Sequence, residues 1–181
     1  MTYSYQEMLG NLQPLLALVT LYRGDAAEAR RLLNESLRIC LELKDNFFLA
    51  RVCTYLAEVE LWEGKLEQAA QWLAQSLAYH ANPHRITIYE VGRLFVAARL
   101  ATAQQQYLRA APLFGLVEQA HSHTHSVYRG PVRALVDTAL AKVKAALGTE
   151  VFTEAFAVGQ QLSLEEAFAA ILASIPSEAT P

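Results

Sequence analysis

Histidine is the residue type most able to do chemistry in this chain. His121, His123 and His125 alternate through a stretch that ends at Ser126, and His80 and His84 lie together earlier. Imidazole nitrogens bind metals readily near neutral pH. A zinc site needs three or four ligands converging at about 2 Å, with further groups orienting them. No Cys-x-x-Cys or His-Glu-x-x-His spacing accompanies these histidines. A polar loop between helices accounts for them more simply, which leaves His121, His123 and His125 as weak candidates for a metal.

The remaining chemistry is thinner. The serines are isolated, and neither Cys40 nor Cys53 has a histidine placed to activate it by a recognised local pattern. Glu58 and Glu60, like Glu165 and Glu166, are close in sequence, but such neighbours point in different directions around a helix. Glu165 and Glu166 fit a helix start, where negative charge suits the dipole. The two cysteines sit at helical positions and read as small buried residues in a reducing compartment rather than as a disulfide. The expectation is a protein that is not an enzyme, with no cofactor.

Composition agrees. The chain has 181 residues, 53% of them hydrophobic and 18% charged, with a formal net charge of -3. That length and apolar content support a sizeable core and exclude general disorder. Lys and Arg are scattered, without the basic stripe that a nucleic-acid surface needs. The most apolar run, Leu12 to Tyr22, is too short to span a bilayer and contains Pro14. The start of the chain lacks the pattern of a secretory signal, and the expected location is cytoplasmic.

The elements that must position any site repeat. Gly24-Asp25-Ala26-Ala27-Glu28-Ala29, Gly64-Lys65-Leu66-Glu67-Gln68-Ala69 and Gln105-Gln106-Tyr107-Leu108-Arg109-Ala110 lie over one another, the alanines of 29, 69 and 110 being followed four positions on by Leu33, Leu73 and Phe114. A fixed period near 40 is the mark of stacked helical hairpins. The pattern predicts helices over Ala26–Leu43, Phe47–Glu63, Glu67–His80 and Ile86–Gln104, and another from Leu108 into the histidine stretch. Asp25 with Glu28 fits a capping box. Pro112 suits the first turn of its helix, and Pro14 disturbs the first helix of the chain. Past Gly130 the repeat stops. Apolar residues at 132, 135, 136, 140, 143 and 147 predict an amphipathic helix from Pro131. Gly148 closes it, and Thr149 caps a short helix over Glu150–Val158 that Gly159 breaks. Ser163 and Glu166 then form a capping box before Leu164–Ala173.

The Ala-x-x-x-Leu/Phe step resembles the tetratricopeptide repeat at a longer spacing. The closing stretch, from Ala145-Ala146-Leu147-Gly148 through Phe152 and Gly159 to Ser163-Leu164-Glu165-Glu166-Ala167, is similar to the end of large bacterial regulators. These join a signalling ATPase to tetratricopeptide repeats, often with a LuxR-type DNA-binding domain. The chain carries neither a phosphate-binding loop nor a recognisable DNA-binding unit. The resemblance implies an all-α fold, a right-handed α-α superhelix with a C-terminal helical cap. Residues 1–128 would form three hairpins, 129–175 the cap and 176–181 a frayed tail. It implies a protein-interaction or signal-sensing module, with a free-standing adaptor for a peptide or small signalling ligand as the alternative. In such arrays the first helix of each hairpin lines the concave face. That places Asn11, Leu18 and Tyr22, then Arg51, Thr54, Glu58, Leu61 and Trp62, then Phe95 and Arg99, toward a protein or peptide partner.

A repeat array needs a polar cap at each end, and residues 1–13 offer none. Either a preceding repeat or a homodimer through the N-terminal edge would cover that end.

Overall fold

The computed structural model of the chain describes residues 5–79, 88–124 and 131–175. Among these residues there are nine helices and no strand: α1 (Tyr5–Tyr22), α2 (Ala26–Leu43), α3 (Asn46–Trp62), α4 (Leu66–Ala78), α5 (Ile88–Ala103), α6 (Tyr107–Thr124), α7 (Pro131–Leu147), α8 (Thr149–Gly159) and α9 (Leu164–Ala173). The all-α class expected from the sequence is what the chain adopts. It divides into two compact units, Met1–Ala81 and Asn82–Pro181. That boundary falls inside the stretch 1–128 assigned to the hairpins. The tail 176–181 lies outside the described residues.

The turn within each hairpin has one closure, which the α2–α3 turn also adopts at Lys44 (φ 54°, Asp45 amide to Cys40 carbonyl, 3.1 Å). Gly24, Gly64 and Gln105 have φ of 97°, 74° and 61°. Behind each, the amide of the next residue reaches back to a carbonyl five positions earlier: Asp25 to Thr20, Lys65 to Glu60, and Gln106 to Ala101, at 3.2, 2.8 and 2.8 Å. This left-handed closure satisfies carbonyls that the helix end would otherwise leave bare. Glycine adopts it without steric cost. Gln105 carries a Cβ into the same conformation, at a cost on the order of 1–2 kcal/mol.

After the closure the second helix of each hairpin folds back on the first, α2 on α1, α4 on α3 and α6 on α5. Ala29, Ala69, Ala110, Leu33, Leu73 and Phe114 are all buried, as the repeat spacing requires. In the first unit α2 also packs on α3. Ala29, Leu32, Leu33 and Cys40 of α2 share one core with Ala17 and Leu21 of α1 and with Val52, Leu56 and Val59 of α3. Buried serines recur at the repeat spacing. Ser36 donates to Leu32 O of its own helix and Gln13 Oε1 of α1, and Ser76 to Ala50 O of α3 at 2.7 Å.

In the second unit the helices past the repeat are held by an absence of side chain. A Cβ on Gly115 of α6 would overlap the carbonyl of Phe156 in α8, and one on Gly159 of α8 would overlap the carbonyl of Pro112 in α6. The two backbones therefore touch directly. Burial of Leu164, Ala167, Phe168 and Ile171 seats α9, whose N-terminus has the expected Ser163–Glu166 capping box.

Several local expectations are corrected. Gly159 is the last residue of α8 and a packing contact, not simply a breaker. Thr149 lies inside α8, and the cap position is Gly148, whose φ of 76° suits glycine. Pro112 is the sixth residue of α6, beyond its first turn. Helix α1 runs through Pro14; the carbonyl left without its usual partner there belongs to Gly10, four residues back. Asp25 does accept from the Glu28 amide, but the Glu28 carboxylate turns to Arg31 instead of completing a box.

Glycine substitutions separate these roles. Gly115→Ala and Gly159→Ala are expected to lower stability by about 3 kcal/mol, the upper end for overpacking, because backbone cannot yield as a side chain can. Gly92→Ala, within α5 and with open space around it, should stabilise by up to about 1 kcal/mol. Gln105→Gly should also stabilise, by about 1 kcal/mol. Urea denaturation followed by helical circular dichroism checks all four, and equal effects at Gly92 and Gly159 would refute the backbone-contact account.

Candidate functional site

Tyr22 and Trp62 are the last residues of α1 and α3 and occupy the same position of successive hairpins, 40 residues apart. The common closure after each brings the rings together, with centroids 6.2 Å apart and planes inclined by 59°. The Tyr22 hydroxyl donates to Glu58 Oε1, one turn earlier on α3, at 3.3 Å. Glu58 is 2% exposed, whereas Trp62 remains 41% exposed. A buried carboxylate thus fixes one ring, and that ring supports a second that is partly open to solvent. Large aromatics held this way supply contact area at low entropic cost and dominate many binding surfaces.

The other expected face residues are placed differently. Arg51, Thr54 and Phe95 are buried, so they do not form an exposed strip. The Arg51 guanidinium lies 4.7 Å from the centroid of Phe48. Thr54 has a structural duty: its hydroxyl lies 2.9 Å from Ala50 O and 2.8 Å from Ser76 Oγ of α4, one of the two hydroxyls donating to the other and the second to Ala50 O. Arg99 is half-buried, its guanidinium 5.3 Å from the Phe95 ring centre. The backbone of Asn11 is helical within α1, and its side chain lies outside the described residues.

Glu58 and Glu60, considered above as a carboxylate pair, have separate partners. Glu60 forms a two-pronged ion pair with Arg30 of α2. The same guanidinium reaches Glu63 at 2.6 Å, and Glu63 also meets Lys65 at 2.8 Å. Glu60 raises the Arg30 pKa, and Lys65, then Arg30, holds the Glu63 carboxyl below its ordinary range. No sequence pattern points to a pair 30 residues apart; the hairpin stacking creates it. In the second unit the buried Glu90 and Arg93 pair at 3.1 Å, with Arg93 6.0 Å from the Phe168 ring of α9. Burial lowers the Arg93 pKa, and the Glu90 charge partly offsets this.

The histidine stretch is not an inter-helix loop over its first part, because α6 continues through His121 to Thr124. Positions two apart on an α-helix lie about 200° apart around its axis, a poor spacing for two ligands on one ion. His80, His84 and His125 fall outside the described residues, as does the side chain of His123. Among the described residues no group of three His, Cys, Asp or Glu side chains is arranged to hold a metal ion. An open hollow of about 440 Å³ beside the α5–α6 turn is lined by Gln106, Leu108, Arg109 and Leu147 among others. The Arg109 guanidinium donates to Gln106 Oε1 at 2.7 Å and to Ile171 O at 3.4 Å. No helix among the described residues is long and apolar enough to cross a membrane.

Cys40 and Cys53 are free thiols, both buried. Burial pushes Cys40 up to about 11, with Asp45 adding to the shift, and Cys53 up to about 12, with Cys40 adding to it. Neither thiol is a ready nucleophile near neutral pH.

Comparison with protein-family models, curated proteins and solved structures finds no match to this chain.

The thiols give a pH prediction. In the unfolded chain they ionise near the ordinary value of about 8.5, while the fold keeps them protonated to about 11 and about 12. Their contribution is therefore fully present below about pH 8.5 and is lost as pH rises toward the folded values. The urea midpoint should fall between pH 8.5 and 11, and Cys53→Ala should flatten that fall. At pH 8 a thiol reagent should react with both cysteines in denaturant and with neither in the native chain.

Proposed function

We propose that the chain is a non-catalytic, tetratricopeptide-like module acting in protein–protein interaction or signal sensing, as the C-terminal part of a cytoplasmic bacterial transcriptional regulator. Its hairpins would wind into a right-handed superhelix, with α7–α9 serving as the cap. The repeated left-handed closures and the buried alanines at 29, 69 and 110 support the repeat reading. The regulator reading rests on the closing pattern from Ala145 to Ala167, whose Gly159 has a defined packing duty against α6.

The observation that carries the binding role is the Tyr22–Glu58–Trp62 cluster. An aromatic that is half open to solvent, yet braced by a second ring and a buried carboxylate, is prepaid in conformational entropy. The partner it suits is a peptide segment offering an aliphatic or cationic side chain to the Trp62 face, since indole attracts both. The rest of the chain's chemistry fits a structural duty: Arg30, Glu60, Glu63, Glu90 and Arg93 are engaged in ion pairs.

A random-peptide phage library panned on the intact chain tests this reading. Enriched peptides are expected to bind the wild-type chain, and Trp62→Ala should weaken them at least tenfold, about 1.4 kcal/mol. Trp62→Phe should retain part of the affinity. Peptides that bind wild type and Trp62→Ala equally would overturn the proposed face.

A further inference from the structure

Helix α1 carries a second surface, on the side away from its own hairpin. Leu12, Leu15, Leu16 and Val19 are 59, 45, 54 and 49% exposed, while Pro14, Ala17 and Leu21 are buried. The four exposed residues follow the i, i+3, i+4, i+7 spacing of a single helix face. Four half-open aliphatic side chains present a few hundred Å², the size of patch that marks a binding site on a soluble protein.

The repeat says what such a face is built to hold. Shifted by the 40 residues that carry Gly24 onto Gly64, Leu12, Leu15, Leu16 and Val19 become Val52, Tyr55, Leu56 and Val59 of α3. Val52, Leu56 and Val59 are buried in one core with Ala29, Leu32, Leu33 and Cys40 of α2, and Tyr55 packs against that core. The covering element at this register is thus an amphipathic helix presenting a small residue followed by paired leucines.

Charge then distinguishes the occupant from α2 itself. Glu60 of α3 and Glu63, just past its end, receive Arg30 of α2. Their counterparts at the end of α1 are Thr20 and, one residue past the helix, Arg23. The Thr20 hydroxyl turns back to Leu16 O at 2.9 Å, and Arg23 is exposed. A helix with arginine at that register would meet a like charge. One with a carboxylate would meet Arg23.

We propose that the outer face of α1 docks an amphipathic helix, packed as α2 packs on α3, with Asp or Glu at the register of Arg30 and facing Arg23. A second copy of the chain is a poorer occupant on two counts. Two such stripes face to face bury less than the roughly 1,200 Å² of a stable interface. Nor does the repeat's own last helix offer a free covering face for head-to-tail stacking, because α6 already packs on α7 and α8. The inference does not depend on the Trp62 face.

The probe is a stapled helical peptide with the sequence Ala26–Leu43, made unchanged and with Arg30→Glu. It is fluorescein-labelled, kept reduced, and titrated with the intact chain by anisotropy. The Arg30→Glu peptide should bind at least tenfold more tightly than the unchanged one. Leu16→Glu in the chain, at an exposed position, should abolish that binding, and Arg23→Glu should invert the preference between the two peptides. Trp62→Ala should leave both affinities unchanged, which separates this face from the one proposed above. Equal affinities for the two peptides, no binding by either, or indifference to Arg23→Glu would overturn the inference. So would sedimentation showing a dimer of the chain that Leu16→Glu dissolves.

Discussion

The arrangement depends on how the first helix of each hairpin is ended. At Thr20, Glu60 and Ala101 a carbonyl accepts from the amide five residues later, across a single residue in the left-handed conformation. That bond reverses the chain within a few residues and sets the phase of the helix that follows. The alanines at 29, 69 and 110 of the helices that follow are thereby fully buried. The same bond leaves Tyr22 and Trp62 just before the reversal, at equivalent ends of neighbouring helices, which is why their rings meet. In the third hairpin the geometry is kept although glutamine replaces glycine, so helix packing there outweighs a local conformational cost.

Within this frame, burial is uneven in a way that matters for function. Helix α3 is covered by α2 on one side and α4 on the other, and its polar residues Arg51, Thr54, Glu58 and Glu60 are interior. Three of their polar contacts join helices: Thr54 to Ser76 of α4, Glu58 to Tyr22 of α1, Glu60 to Arg30 of α2. Buried polar groups of this kind are costly unless matched, so they favour one register of packing over its neighbours. Helix α1 has the same apolar positions as α3 with one of its two faces open. Its outer side is an unused copy of an interface that the first unit has already built once.

Much of the local structure was legible in the residues. The bounds of α2 and α9 follow from their apolar spacing, and the Ser163–Glu166 capping box is present as expected. The left-handed turns at Gly24 and Gly64 were readable because glycine announces them. The one at Gln105 was not read from the sequence, because glutamine gives no such signal, although the residue aligns with the two glycines. Tyr22, Glu58 and Trp62 were all assigned to one face of the first helices. Their mutual contact was not, since a 36-residue separation between Tyr22 and Glu58 leaves no local signature.

Taken alone, the sequence determined the helices, the repeat and the ends of most elements, because capping, glycine conformation and apolar periodicity act over a few residues. Tertiary structure decided which polar residues are used up inside. Arg51 and Phe95 look like surface hot spots by type, yet each is buried. Tertiary structure also gave Gly159 its duty, because the need for a missing Cβ exists only once the carbonyl of Pro112 lies against it. Long-range contacts depend on the summed packing of whole helices, and no short run of residues encodes that sum.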